Sequence, residues 1–338
     1  MARCLDADSL HSSRFIVLKL CAAVLTTLFA SPIRRAEAQS IWLAPKAPYP
    51  PAQIAGSPDL MNMFQPDAPW NTVSAHVKVF KLPTQFLAWV PSDQLTIILD
   101  DLKRRGIKLA VESLAQSVLN QPACGQGVEG YGVPEQAEKI AAKVVAAGGT
   151  VSFVTMDEPL FFGHVFDGPT ACHSSVQNVA ERVAAIVGRY RAAFPEVVIG
   201  DIEPAGAPMI DGWNESFVDW IKAFRITVGT PLGFLQVDAD WNNPNHVEGL
   251  IRSMKLARDN GLRTGVIYNG RDNDGSNEEW IAHARANIRA VETTLGRVPD
   301  DVIFQTWTPY PSMIMPETNK NSLTGLVYYY LHSYAAGQ

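Results

Sequence analysis

Long apolar runs are almost missing from this chain of 338 residues. Only residues 15–30 are apolar enough to approach a bilayer. Lys19 interrupts them and leaves about ten apolar residues, too few for a span. A multi-span membrane protein is thereby excluded. Cysteine is scarce as well, and four cysteines cannot staple a fold of this length. Basic runs are absent and the formal charge is −6, so no nucleic-acid partner is expected. There is no G-x-S-x-G turn for a serine nucleophile. There is no H-E-x-x-H, no close cysteine pair and no phosphate-cradling P-loop. No cofactor and no metal is therefore expected. Segment 271–277 (RDNDGSN) superficially resembles a calcium loop, but it lacks the ligand spacing and reads as a polar turn. Disorder is also excluded, because 47% of the residues are hydrophobic.

What is present begins with an export pattern. Arg3 and Arg14 precede the apolar run, and Ala36-Glu37-Ala38 follows it as a small-residue cleavage site. Residues 1–38 read as a secretory signal cleaved after Ala38, and the mature protein is expected outside the cytoplasm, secreted or periplasmic. Cys4 and Cys21 leave with the signal. Cys124 and Cys172 remain in an oxidising compartment and are expected to form a disulfide. Residues 39–57, rich in Pro and Ala, read as an extended leader.

Beyond residue 57, short β-branched runs alternate with stretches of helical period. Strands are expected at 60–64, 77–82, 108–112, 151–156, 197–202, 233–237, 263–268 and 301–305. Helices are expected at 68–75, 92–105, 134–147, 175–194, 216–228, 247–260, 278–295 and 323–334. Pro134 suits a first helical turn, while Ser92 and Asn277 are candidate caps. Eight βα units argue for α/β class and a single-domain TIM (β/α)8 barrel over 58–338. An open doubly wound sheet is the alternative, but it calls for a glycine-rich turn after its first strand, and 65–70 contain no glycine.

Active sites of such barrels lie at the C-terminal ends of the strands. Carboxylates collect there: Glu112, Asp157, Glu158, Asp201, Glu203, Asp238 and Asp240, with Trp241, Tyr268, Asn269, Gln305 and Trp307 among them. Acids converging on one mouth raise each other's pKa, and flat rings stack on sugar faces. The combination suits glycosidic bond cleavage, with a carbohydrate as the binding partner. Trp213, Trp220 and Trp280 read as packing residues, and His164 and His173 as loop surface. Oligomeric state is not legible in the chain.

Asp157-Glu158-Pro159 at the end of strand four resembles the glycoside hydrolase superfamily of (β/α)8 barrels, whose retaining members often end that strand in Asn-Glu-Pro. The resemblance implies that Glu158 is the general acid, and Trp307 is similar to the platform tryptophan after strand eight. The nucleophilic glutamate of that clan ends strand seven, where this chain has Tyr268-Asn269-Gly270. Glu203 is the first candidate for the second carboxylate and Asp238 the next. A third scheme is substrate-assisted: the Asp157-Glu158 pair resembles that of hexosaminidases using the substrate's acetamido group. A fourth is a non-catalytic carbohydrate-binding barrel.

Overall fold

A computed structural model describes residues 39–48, 57–118, 124–295 and 299–334. The expected signal, residues 1–38, lies outside the described residues, with Cys4 and Cys21. Residues from 38 onward form one compact unit. Its centre is a closed barrel of eight parallel strands: β1 Ser40–Ala44, β2 Val77–Pro83, β3 Lys108–Ser113, β4 Val151–Asp157, β5 Val198–Pro204, β6 Phe234–Asp238, β7 Arg263–Tyr268 and β8 Asp301–Gln305. Each strand pairs with its neighbours in sequence, and β1 closes the ring against β8, Ala44 lying opposite Gln305. The expected TIM barrel is the observed fold.

The first strand differs from expectation. Residues 60–64 form a short 3-10 helix, and β1 comes instead from the segment read as a leader. The physical reason is in the spacing. Leu60, Met63 and Phe64 are the buried residues of Leu60–Phe64, a helical i, i+3, i+4 face. Ser-Ile-Trp-Leu-Ala alternates instead: Ile41 and Leu43 pack outward with the helix layer, Trp42 and Ala44 inward. Five residues flanked by Pro and Ala are too few to stand out in the sequence.

The barrel floor is aromatic. Trp42 meets Phe153 and Phe234 at ring-centroid distances of 5.0 and 5.5 Å, and its indole N–H donates to Asp301 at 3.3 Å. Gly200 on β5 is required here, because a Cβ would lie 2.0 Å from the Phe234 ring. Helices cover the outside, each burying an apolar stripe against the strands. In chain order they are α1 (Asn71–His76), α2 (Thr84–Trp89), α3 (Ser92–Arg105), α4 (Pro134–Ala146), α5 (Val176–Ala193), α6 (Trp213–Val228), α7 (His246–Asp259), α8 (Asn277–Thr294) and α9 (Leu323–Ser333) among the described residues. Ser175 and Ser276 cap α5 and α8 by accepting from Asn178 and Glu279 backbone N–H groups. Ser276 thus takes the place expected for Asn277, and Ser92 is a first helical residue whose side chain makes no cap bond. Pro134 occupies the first turn as expected. Among the described residues no helix is long and apolar enough to cross a membrane.

Because Trp42 is 1% exposed and stands at the barrel axis, Trp42→Ala is expected to destabilise the protein by about 3–5 kcal/mol, the scale for losing a buried large aromatic. Chemical denaturation measures this. Near-native stability would return residues 40–44 to the status of a dispensable leader.

Candidate active site

Alternation along the strands decides which acids share the mouth. The inward residues nearest the C-terminal ends include Lys81 on β2, Glu112 on β3, Asp157 on β4, Ile202 on β5, Asp238 on β6, Ile267 on β7 and Gln305 on β8. All line one cavity of about 620 Å³, a size ordinary for a small-molecule site. The outward residues face the helices. Asp201 accepts from the Trp220 indole of α6 at 2.7 Å. Glu203 accepts from the backbone N–H groups of Leu160 and Phe161, at 2.8 and 3.1 Å. Both are buried behind the barrel and neither lines the cavity. Glu203, the first candidate for the second carboxylate, thus lies outside the cavity, because Ile202 between the two acids takes the inward position, while Asp238, the next candidate, lines it.

Glu158 breaks the rule. It follows Asp157 directly, so regular strand geometry would send the two side chains to opposite faces. Its φ of +44° is a left-handed conformation that L-residues with a Cβ rarely adopt. The turn brings both carboxylates into the cavity. Such strain costs on the order of 1–3 kcal/mol and concentrates at functional sites. Gly130 supports it from the neighbouring loop. Its φ is +78°, and a Cβ there would lie 2.4 Å from the Asp157 carbonyl oxygen, so only glycine lets this loop approach.

That loop forms one wall. Gln116–Ser117 pairs with Tyr131–Gly132 in a two-stranded ribbon, and Arg182 of α5 donates to the Tyr131 hydroxyl at 3.2 Å. Cys124 and Cys172 are disulfide-bonded as expected, with Cα atoms 5.0 Å apart. The bridge joins this loop to the segment after β4, and the Gly125 N–H donates to the Thr170 carbonyl beside it. Closing 48 residues of chain contributes roughly 4 kcal/mol in the chain-entropy description. The same loop carries Glu129 to the cavity rim.

Lys81 and Glu112 form an ion pair at the cavity base, and the Gln305 amide donates to Glu112 at 3.0 Å. Lys81 is almost wholly buried. Burial pushes Asp157 well above the usual carboxylate range, and Glu112 and Glu129 push it further while Lys81 opposes them. Burial, then Asp238 and Asp157, raise Glu158 well above its ordinary value. Asp238 is raised to about 7, first by burial, with Lys81 pulling it down. Among the described residues none of these three carboxylates has a salt bridge.

The remaining candidates divide. Asp240 lines the cavity while accepting from the Asn242 N–H at 2.9 Å. Trp307 is 40% exposed at the rim, its indole donating to Asp272 at 3.2 Å. Trp241 lines the cavity but packs its ring against His246 and Tyr268. Tyr268 and Asn269 do not line it: the Tyr268 hydroxyl donates to Glu292 of α8 at 2.9 Å, and Asn269 is buried under Asn287. Trp213, Trp220 and Trp280 are packing residues as expected. Both ring nitrogens of His164 meet structural partners, Ser174 and Ser216. Asp274, Glu279 and His283 lie close together after β7. All three already bond within the turn, His283 to Asp274 at 2.5 Å and the other carboxylates to backbone N–H groups of Arg271 and Gly275. Sequence reasoning missed Lys81, Glu129 and Asp272 as site residues. Lys81 was recoverable from its two-residue spacing to Val79, whereas the two loop acids carry no periodic signal.

This barrel is similar in fold to solved glycoside hydrolases. GH5_18 from Streptomyces cattleya, solved in complex with GlcNAc, superposes with a TM-score of 0.51 at 11% identity, over 89% of this chain and 82% of that one. Native CbXyn10B superposes with a TM-score of 0.50 at 10% identity, over 88% and 96%. The likeness shows the (β/α)8 barrel fold. No family model and no curated protein matches the sequence.

Asp238 yields a pH test. Its native pKa, about 7, lies above the ordinary carboxylate value of 3.8. The folded state therefore holds the proton more tightly, and this contribution to stability is lost as pH rises from about 4 to 7. Asp238→Asn is expected to stabilise the protein more at pH 8 than at pH 5, relative to the parent. Thermal unfolding at the two pH values measures it, and equal differences would show that Asp238 does not hold that proton.

Proposed function

We propose that this protein is an exported glycoside hydrolase that cleaves an O-glycosidic bond in a poly- or oligosaccharide. The observation that carries the reading is the left-handed turn at Glu158, which places two consecutive carboxylates in one cavity at the end of β4. Backbone strain of this kind gathers at active sites, where it holds a reacting group in place.

Glu158 is the general acid. Burial and the Asp238 charge raise its hold on a proton well above the ordinary carboxylate range, which suits donation to the departing glycosidic oxygen as the bond to the anomeric carbon breaks. Asp238 is the second carboxylate. A value near 7 and a neighbouring Lys81 leave much of it ionised at working pH, suited either to removing a proton from water or to attacking the anomeric carbon. Asp157 is the positioning partner of Glu158. Trp307 offers a ring at the rim on which a sugar face can stack. Because Asp157 and Glu158 line the same cavity, a substrate-assisted reaction on an N-acetylhexosaminide is the second reading. In that case Asp157 orients the acetamide and Asp238→Asn spares turnover.

Export is supported by the fold. Ala38 is followed by Gln39, and β1 starts at Ser40. Cleavage after Ala38 keeps Gln39, whose side chain donates to the Tyr330 hydroxyl at 2.9 Å, and leaves every barrel strand intact. The Cys124–Cys172 bridge fits an oxidising compartment.

Glu158→Gln is expected to reduce turnover on a substrate with a poor leaving group by at least about 10²-fold, the scale for loss of a general acid. The loss should shrink on an aryl glycoside whose leaving group needs no proton, with the circular dichroism spectrum unchanged. Full activity of this variant on the poor leaving group would remove Glu158 from the role.

The secreted protein is expected to begin at Gln39. Intact mass decides it, and a chain beginning at Ser31 would move the cleavage site.

A further inference from the structure

The charge lining the cavity is unbalanced. Among the described residues, seven carboxylates line it against two lysines, and no arginine does. One of the lysines, Lys81, is already paired with Glu112. The other, Lys46, is partly buried, and burial lowers its pKa. Cleaving a glycosidic bond needs two carboxylates, and a third can position them. Glu129, Asp240 and Asp272 are left over. All three are exposed at the rim, and burial and the Glu112 charge raise Glu129 above its ordinary value.

A second observation points to a bound donor. Gln305 is 9% exposed, lines the cavity, and its amide N–H group is committed to Glu112. Its carbonyl oxygen has no partner among the described residues. A buried acceptor without a donor is costly, and a ligand N–H or O–H would offset that cost. A low-dielectric cleft lined by one sign of charge concentrates ligands of the other sign.

We propose that the substrate is a cationic amino sugar, a glycan whose residues carry free, protonated amines, with ammonium groups met by Glu129 and Asp272 at the rim. The proposal rests on the glycoside hydrolase reading of the same cavity. An ammonium in this mouth supplies the positive charge that the chain itself omits. An N-acetylated or hydroxyl-bearing counterpart has the same shape without that charge. A uronic acid glycan is disfavoured, since its carboxylates would meet seven others with no arginine to receive them.

The test is binding without turnover, read from tryptophan fluorescence of the Glu158→Gln protein at about pH 6. The probes are soluble oligomers of glucosamine and of galactosamine, each beside its N-acetylated and neutral hexose counterparts. The expected result is at least about tenfold tighter binding of an amine oligomer, falling toward parity as salt rises from about 0.02 to 0.5 M. Adding Glu129→Gln and Asp272→Asn, both exposed and safe for the fold, should reduce the preference to within about threefold. Equal or tighter binding of the neutral or acetylated sugars overturns the proposal and leaves the hydrolase reading standing. Failure of both amine oligomers to bind overturns it too, as does a preference abolished by stoichiometric calcium binding, which would make the mouth a metal site. Tight amine binding combined with no hydrolysis of any of these glycans by the unmutated protein supports the ligand class and removes the hydrolase reading.

Discussion

Strand alternation in a closed barrel is the constraint on which the rest of this structure depends. Each strand sends every second side chain inward, so a one-residue difference separates the mouth from the helix layer. Asp157, Asp238 and Glu112 stand inward and share a cavity, while Asp201 and Glu203 stand outward and hold helices in place. One residue escapes the rule. Glu158 takes a left-handed backbone, so that two neighbours in sequence become neighbours in the site. Gly130, the disulfide-bonded wall and the Leu160–Phe161 turn held by Glu203 surround that residue and fix its conformation. The outward acids are thus part of the site's foundation without touching its contents.

Crowded carboxylates oppose folding, and the barrel base carries the compensation. A lysine as buried as Lys81 is itself costly unless it is paired. Glu112 pairs it, Gln305 orients Glu112, and the lysine charge restrains both Asp157 and Asp238 from rising further. Burial, Asp238 and Asp157 raise Glu158 well above its ordinary value, and Asp238 is raised to about 7. Several carboxylates raised above their ordinary range in one cavity mark a candidate for acid–base chemistry.

Below this polar layer the barrel is dry and aromatic. Trp42, Phe153 and Phe234 fill the floor, and the Tyr268, Phe304 and Tyr330 cluster seals β7 and β8 against α9. Close packing of these rings supplies rigidity to strands whose upper ends carry uncompensated charge. The rim is built differently. Its loops hold Glu129, Asp240, Asp272 and Trp307 in partial contact with water. The groups at the rim are exposed, while Asp157, Glu158 and Asp238 below them are partly shielded.

The sequence by itself determined the class of fold, seven of the eight strands, the disulfide and the acid after β4. These follow from periodicity, from cysteine count and from a three-residue motif, all local signals. It misplaced the first strand, because Ser40–Ala44 is a five-residue run amid Pro and Ala, and the 60–64 turn has the apolar content of a strand but the spacing of a helix. It ranked Glu203 above Asp238, because the residue types at strand ends were legible while their inward or outward parity was not tied to the barrel axis. The tertiary structure alone decided that parity, along with the left-handed turn at Glu158, the Lys81–Glu112 pair and the arrival of Glu129 and Asp272. Each depends on backbone held by residues far apart in the chain, and no local pattern encodes contacts of that range.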